Sequence, residues 1–490
     1  MKNINPDHLE REAPRVETAI RSALIWNFVT LAFAQVILAA IFLLLATRLA
    51  PATFGVFALA AVITDIFYTL GTGASVDAIV QRQDFSRRTL SSVTWATAAI
   101  CVAVTGVFWL IAPGYARAMG APQVTGILEV LTLSTLLLPF AIGPTAVMRQ
   151  QLDMKGLALL TMASSLTGGA AALATAFSPL LEWSLVVKRL VTTGSFILFA
   201  TVRTRMLPAL VLGRDEVRTW LSSVSRIFAG QSISAITPRI ADLFTGALFG
   251  PTAVGYLRVA NRLTDLMLGL LVNPLSQLWV TLLSRAGDSV EAKRTVFMQL
   301  SNLTALIALP GFVGLGLTSQ EIVGLILPHQ YAPVAGPLTV LCMIGVFAPL
   351  TNPRNALFTA LRRFNYLVWF AVLDLAATTL GMFIMARFGP VIMLSSGAFA
   401  SLAMVVFALP IILKDLKLRP AVLANRLIPP YAAVAVMAVG VLAVEPLLHR
   451  MPLIEALLVK VVVGVVIYGG VLMLFFRDAV MQTLRAVAAR

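Results

Sequence analysis

Some fourteen apolar stretches of membrane-spanning length follow one another along this chain, and that succession constrains the fold more than any motif does. Hydrocarbon offers no partner to a backbone N–H or C=O, so a stretch of about 20 apolar residues crosses it as an α-helix. The stretches lie near 22–47, 54–80, 90–112, 126–148, 157–178 and 180–202 in a first half, then near 219–249, 252–284, 296–318, 334–361, 364–387 and 389–413 in a second. Two more follow at 428–448 and 455–476. An apolar fraction of 59%, a charged fraction of 12% and a mean hydropathy of +0.90 exclude a soluble chain of 490 residues. The reading is an all-α integral membrane protein with about 14 transmembrane helices.

Basic residues orient it. Assigned to alternating loops, 25 of the 37 Lys and Arg fall on one side, among them Arg82, Arg87, Arg88, Arg203, Arg205, Arg362, Arg363 and Lys414. The other side takes only Arg48, Arg117, Arg387 and Arg450, which makes the crowded side cytoplasmic and places both termini there. The same distribution accounts for the formal charge of +15, which is spread over short loops, so no nucleic acid is expected as a partner. Residues 1–21 are too charged for a signal peptide and read as a retained cytoplasmic segment. Cys101 and Cys342 sit in separate apolar helices, which supports neither a disulfide framework nor a metal site. No phosphate loop, nucleophile triad, zinc spacing or dinucleotide fingerprint occurs, so neither an enzyme nor a cofactor is expected.

The seventh and eighth stretches carry charges that lipid rejects: Arg226, Arg239 and Asp242 in one, Arg258, Arg262 and Asp265 in the other. A central Arg or Asp costs roughly 3 kcal/mol on insertion scales, so these six must face each other, water or a charged ligand. Arg258, Arg262 and Asp265 are spaced i, i+4 and i+7 and form one stripe, with Asn261 at its border. Arg239 and Asp242, three apart, share a face, and the two stripes can meet across the turn at Gly250 to Gly255. The purely structural alternative pairs Arg239 with Asp242 and Arg262 with Asp265. Lys188 and Arg189 lie within the sixth stretch and Arg354 within the tenth, all three as candidate cavity cations. Asp65 and Asp374 sit closer to mid-membrane, as coupling sites or as structural partners of a cavity Arg, the latter favoured. Lys460 reads as an interfacial anchor, and Pro238, next to Arg239, as a bend or hinge.

The halves repeat weakly. Leu49-Ala50-Pro51-Ala52-Thr53-Phe54-Gly55-Val56-Phe57 follows the first helix and Phe249-Gly250-Pro251-Thr252-Ala253-Val254-Gly255-Tyr256-Leu257 the seventh, so Pro51 and Gly55 return as Pro251 and Gly255. A six-helix offset preserves orientation and predicts parallel repeats about an axis normal to the membrane.

Leu49 to Arg88 combines a Pro-containing turn, Phe-Gly, a helix ending in a Gly stretch, then Gln-Arg and a polar loop. Ala241 to Ala260 (ADLFTGALFGPTAVGYLRVA) has Ala-Asp, a Gly-rich turn and Gly-Tyr, and Glu321 to Tyr331 (EIVGLILPHQY) precedes a helix ending at Arg362 and Arg363. In these segments the chain resembles the polysaccharide transporter family, lipid-linked oligosaccharide flippases of the multidrug/oligosaccharidyl-lipid/polysaccharide exporter superfamily. The resemblance implies two six-helix lobes around a central cavity. Here these would be an N-lobe at 22–202 and a C-lobe at 219–413, joined by a cytoplasmic linker at 203–218, with two extra helices at 428–476 and a cytoplasmic tail at 477–490. The peptidoglycan-precursor branch carries basic residues early in its first helix, where this chain has Trp26, Asn27 and Gln35.

What the resemblance implies is translocation of a polyprenyl-diphosphate-linked oligosaccharide across a bacterial inner membrane by alternating access, for exopolysaccharide or lipopolysaccharide synthesis. Membrane lipid is then a partner, and polysaccharide polymerase and export proteins are candidates. A diphosphate suits guanidinium and ammonium donors, which nominates Arg226, Arg239, Arg258, Asn261, Arg262, Lys188, Arg189 and Arg354 for binding. Asp65, Asp242, Asp265 and Asp374 are the coupling or structural carboxylates. Trp26, Asn27, Gln35 and Tyr68 offer sugar-binding groups. Two rivals make different demands: a multidrug or toxin extruder would carry an acidic cavity, and a non-transport assembly subunit would turn its charges outward to dock partners.

Overall fold

A computed structural model describes residues 35–477 apart from 69–71, 274, 277, 278, 280, 281, 284, 285, 288 and 449, with the side chains of 226–232, 234, 235 and 364 also outside the description. Residues 1–21, Trp26, Asn27 and Pro274 therefore lie outside the described residues. Among the described residues the regular structure is entirely helical. The first half contains α1 (Gln35–Arg48), α2 (Pro51–Tyr68), α3 (Ala74–Arg82), α4 (Arg87–Ala118), α5 (Val124–Leu137), α6 (Pro139–Gln150), α7 (Met154–Ala176) and α8 (Ser184–Thr204). The second holds α9 (Arg214–Met267), α10 (Val290–Leu317), α11 (Ser319–Ile326), α12 (Ala335–Gly345), α13 (Ala348–Ala360), α14 (Phe364–Met385), α15 (Pro390–Leu394) and α16 (Ser396–Asp415). The hairpin α17 (Pro420–Leu448) and α18 (Leu453–Phe475) closes the chain.

Ten helices among the described residues are long and apolar enough to cross a membrane, or twelve if the bent pairs α5–α6 and α12–α13 each make one span. The pairs bend by 42° and 51° where Pro139 and Pro349 begin their second helices, since proline at the first turn lacks only a donor that is unsatisfied there anyway. The expected total of fourteen differs from ten to twelve for two local reasons. The first span is described only from Gln35, and the seventh and eighth, which part at the Gly250 kink, count once as the two arms of α9. Within α9 the helical path breaks at Gly250, whose φ of 78° is open to glycine and costly for other residues. The break falls at Gly250, while Pro238, the expected hinge, lies inside the first arm of α9.

That break sets the architecture. The two arms of α9 fold back on each other, and the second crosses α2 at very close range. A methyl group built on Gly55 would stand 1.7 Å from the carbonyl oxygen of Pro251, and one on Gly255 would stand 1.9 Å from the carbonyl oxygen of Pro51. The two Pro-x-x-x-Gly segments thus meet reciprocally, each glycine against the other's proline, as a two-fold relation between the halves requires. Small residues permit this backbone approach between helices.

The same end of the bundle is fastened a second time. Tyr331, fully buried, donates its hydroxyl to the Leu49 carbonyl at 2.7 Å, and Gln330 donates its side-chain amide to the same oxygen at 3.3 Å. Its ring packs edge-on against Phe54, which contacts Phe42. At the opposite end the linker after α8 is stitched to α4. Trp95 donates to the Ala209 carbonyl at 2.8 Å, the amides of Ala209 and Gly213 donate to the hydroxyls of Ser91 and Ser92, and Arg88 pairs with Glu216 at 2.8 Å.

The C-terminal hairpin packs on α10, where the hydroxyl of Tyr468 donates to the Leu306 carbonyl, while that of Tyr431 donates to the Val346 carbonyl in the break between α12 and α13. Lys460 departs from the expected interfacial anchor. It is 3% exposed, and its ammonium meets Glu321 at 2.7 Å, Glu445 at 3.2 Å and the Leu317 carbonyl at 3.3 Å. A lysine this deep persists only with such a set of partners, so it joins both hairpin helices to α11.

Candidate functional site: a cation-lined trough

Asp242 and Arg258 each stand eight residues from Gly250 in sequence, so folding α9 back at that glycine brings them level. Arg258 meets Asp242 at 2.7 Å. Asp242 is 1% exposed, and a carboxylate buried so fully in a membrane-embedded helix needs a counter-ion. Asp265 lies within electrostatic range of Arg262, Arg258 and Arg239. The expected contact of the two stripes across the turn is present, but its partners differ from those helical spacing suggested. Arg239 turns away from Asp242 to Asp65 of α2, at 3.1 Å.

Asp65 also receives Arg189 of α8, at 3.0 Å, and the Arg189 guanidinium lies over the ring of Tyr68, 4.7 Å from its centroid. One carboxylate therefore serves one arginine from each half of the chain.

Three adjoining cavities link these groups. The first, about 480 Å³, has Asp65, Lys188, Arg189, Arg258, Arg262 and Asp265 on its wall together with Phe42, Phe54 and Phe57. A second of about 430 Å³ shares Arg258, Asn261 and Asp265 with it and adds Arg239, Asp242 and Asp374. The third, about 510 Å³, shares Thr237, Pro238 and Asp374 with the second and adds Arg354, Asn355 and Phe370. The candidate phosphate-binding and coupling residues with described side chains thus line one trough, whereas Gln35 and Tyr68, the described sugar-binding candidates, are not on its wall; Arg226 lies in α9 with its side chain outside the described residues.

Among the described residues six cations face four carboxylates along this trough, a formal surplus of two positive charges. Three of the six carry no ion pair among the described residues: Lys188, Arg262 and Arg354. Lys188 and Arg262 share the wall of the first cavity and are near enough to repel each other, an arrangement that an anion between them would relieve. Arg354 stacks on Phe370, 4.9 Å from the ring centroid, and feels Asp374 across the third cavity. Its Nη1 is buried without a hydrogen-bond partner. The wall between the charges offers hydroxyls and amides, including Thr192, Thr237, Asn261, Asn355, Thr378 and Ser401, most of which no sequence pattern distinguished from ordinary helix residues.

An all-helical, multi-pass membrane protein with an interior cation-lined trough has the build of a membrane transporter. The chain is a member of the family described as polysaccharide biosynthesis proteins, whose model matches residues 44–336. It is 21% identical over 337 residues to the lipopolysaccharide biosynthesis protein WzxC of Escherichia coli, covering 67% of this chain and 68% of that one. The succinoglycan biosynthesis transport protein ExoT of Rhizobium meliloti is 22% identical over 69% of this chain and 68% of its own. The teichuronic acid biosynthesis protein TuaB of Bacillus subtilis is 20% identical, with 62% of its own length matched. Among solved structures the fold resembles the lipid II flippase MurJ in an inward closed conformation, with a TM-score of 0.78 over 92% of this chain and 99% of that one at 13% identity. An inward-facing multidrug MATE transporter follows at 0.56, over 78% of this chain and 95% of its own, at 15% identity.

Proposed function

We propose that this chain is a flippase that carries polyprenyl-diphosphate-linked oligosaccharide units across the bacterial inner membrane for exopolysaccharide or lipopolysaccharide synthesis. Its two halves act as the N-lobe and C-lobe of an alternating-access carrier with fourteen spans, both termini lie in the cytoplasm, and polymerase and export proteins receive the product. Membership in a family of polysaccharide biosynthesis proteins supports this reading, as do relatives named for lipopolysaccharide, teichuronic acid and succinoglycan synthesis.

One observation carries the choice of cargo: the trough has two more cations than carboxylates, and Lys188 and Arg262 stand together in it without an ion-pair partner among the described residues. A diphosphate supplies the missing negative charge and accepts bidentate hydrogen bonds from guanidinium groups. The sugars would lie along the hydroxyl and amide wall while the polyprenyl chain stays in lipid. A drug cation, the cargo of the rival extruder, would meet net repulsion in the same place. Charges turned inward to a cavity also disfavour a subunit that uses them to dock partners.

Proteoliposomes test this directly. Replacing Lys188 and Arg262 together by alanine should slow transfer of a polyprenyl-diphosphate oligosaccharide by tenfold or more, corresponding to at least about 1.4 kcal/mol of lost cargo interaction, with insertion into the vesicles unchanged. Transfer at the wild-type rate would remove the pair from the cargo path.

A further inference from the structure

Asp65 holds a position that the cargo itself would contest. Its carboxylate takes Arg189 of the first half at 3.0 Å and Arg239 of the second at 3.1 Å, so within the trough it ties the two halves together through one side chain. It stands ten residues beyond Gly55 on α2, about 15 Å along the helix from the reciprocal proline–glycine crossing. It shares a cavity wall with Lys188 and Arg262, the two cations without an ion pair among the described residues.

We infer that Asp65 is a positioning residue that acts as a resident counter-anion. It holds the halves together across the empty trough and yields Arg239 to an arriving diphosphate. The inference rests on the diphosphate reading of the cargo. A diphosphate drawn to Lys188 and Arg262 brings further acceptor oxygens within the same cavity, and a dianion competes for a guanidinium better than a single carboxylate does. When Arg239 transfers to phosphate, Asp65 keeps Arg189, so no buried carboxylate is stranded, and the arm that spans the halves is released. Occupancy would thereby loosen the two halves, and an empty carrier would stay latched. Of the neighbouring charges, Asp242 lies near enough to Asp65 to repel it, and the other two stay in place. Arg258 remains on Asp242 within α9, and Asp265 stays near Arg262 as a local balance.

The experiment is a distance measurement in nanodiscs by double electron–electron resonance. Nitroxides on Gln123→Cys and Arg387→Cys, both exposed and one in each half, report the separation of the halves; the buried Cys101 and Cys342 are replaced by alanine. Inorganic pyrophosphate is the probe. The otherwise unmodified protein should show one short population without pyrophosphate and gain a longer one with it. Asp65→Asn and Arg239→Gln should each show the longer population without pyrophosphate. Arg189→Gln, which leaves the arm between halves intact, should stay short, and Asp65→Glu should restore the latch. Short distances in both Asp65→Asn and Arg239→Gln would overturn the inference. If pyrophosphate fails to bind the unmodified protein in calorimetry, the diphosphate reading falls, and the comparison without ligand still decides whether Asp65 latches the halves.

Discussion

At the scale of single residues, the trough holds cations with an ion pair beside cations that have none among the described residues. Arg258 and Asp242 form the structural kind: the carboxylate is 1% exposed, and Arg258 reaches it at 2.7 Å. Removing one partner of a buried pair leaves an uncompensated charge and costs about 3–5 kcal/mol. Arg258→Ala should therefore lower the thermal midpoint in detergent markedly, and adding Asp242→Asn should recover much of the loss. Equal midpoints for the single and double variants would show that Arg258 does not neutralise Asp242. The charges themselves were plain in the sequence, because an Arg or Asp inside an apolar stretch is conspicuous there. The meeting of the two stripes was legible too, since residues equally spaced about a helix-breaking glycine come level. What spacing did not reveal was the partnering of Arg239 with Asp65, which lies about 170 residues away on another helix. A one-dimensional pattern ranks the neighbour three residues on above any distant one. The same limit hid the role of Lys460, whose two glutamates lie on different elements.

Elements carry the relation between the halves. The letters Pro-x-x-x-Gly were a weak signal, but each glycine proves to be the point where its helix touches the other's backbone. Gly55→Ala would drive a methyl group to 1.7 Å from the Pro251 carbonyl, and backbone on the opposing helix cannot give way as a flexible side chain would. The crossing should open, exposing Ala58→Cys, on the adjacent trough wall, to a membrane-impermeant thiol reagent, and flipping should fall severalfold. Gly106→Ala, with nothing within 4 Å of the added methyl, should leave both unchanged. Labelling of Gly55→Ala at the level of the parent would show that the crossing tolerates a side chain. The helical character of the stretches was readable, because an apolar run of that length has no other way to satisfy its backbone in hydrocarbon. The division between the seventh and eighth stretches was legible as well, since the Gly250-Pro251 pair that separates them is where the helical path of α9 breaks.

For the whole molecule, charge sign is the property that distinguishes the possible cargoes. The fold resembles both the lipid II flippase MurJ and a multidrug transporter, so the architecture alone does not choose the cargo. A trough with surplus positive charge, closed at one end by the proline–glycine crossing and by Tyr331 on Leu49, suits an anionic headgroup. The most direct measurement is disruption of the gene, followed by assay of surface polysaccharide, of the lipid-linked sugar pool in each leaflet, and of sensitivity to cationic drugs. The account predicts loss of polymer with diphosphate-linked units trapped in the inner leaflet and unchanged drug sensitivity; normal polymer with heightened drug sensitivity would contradict it.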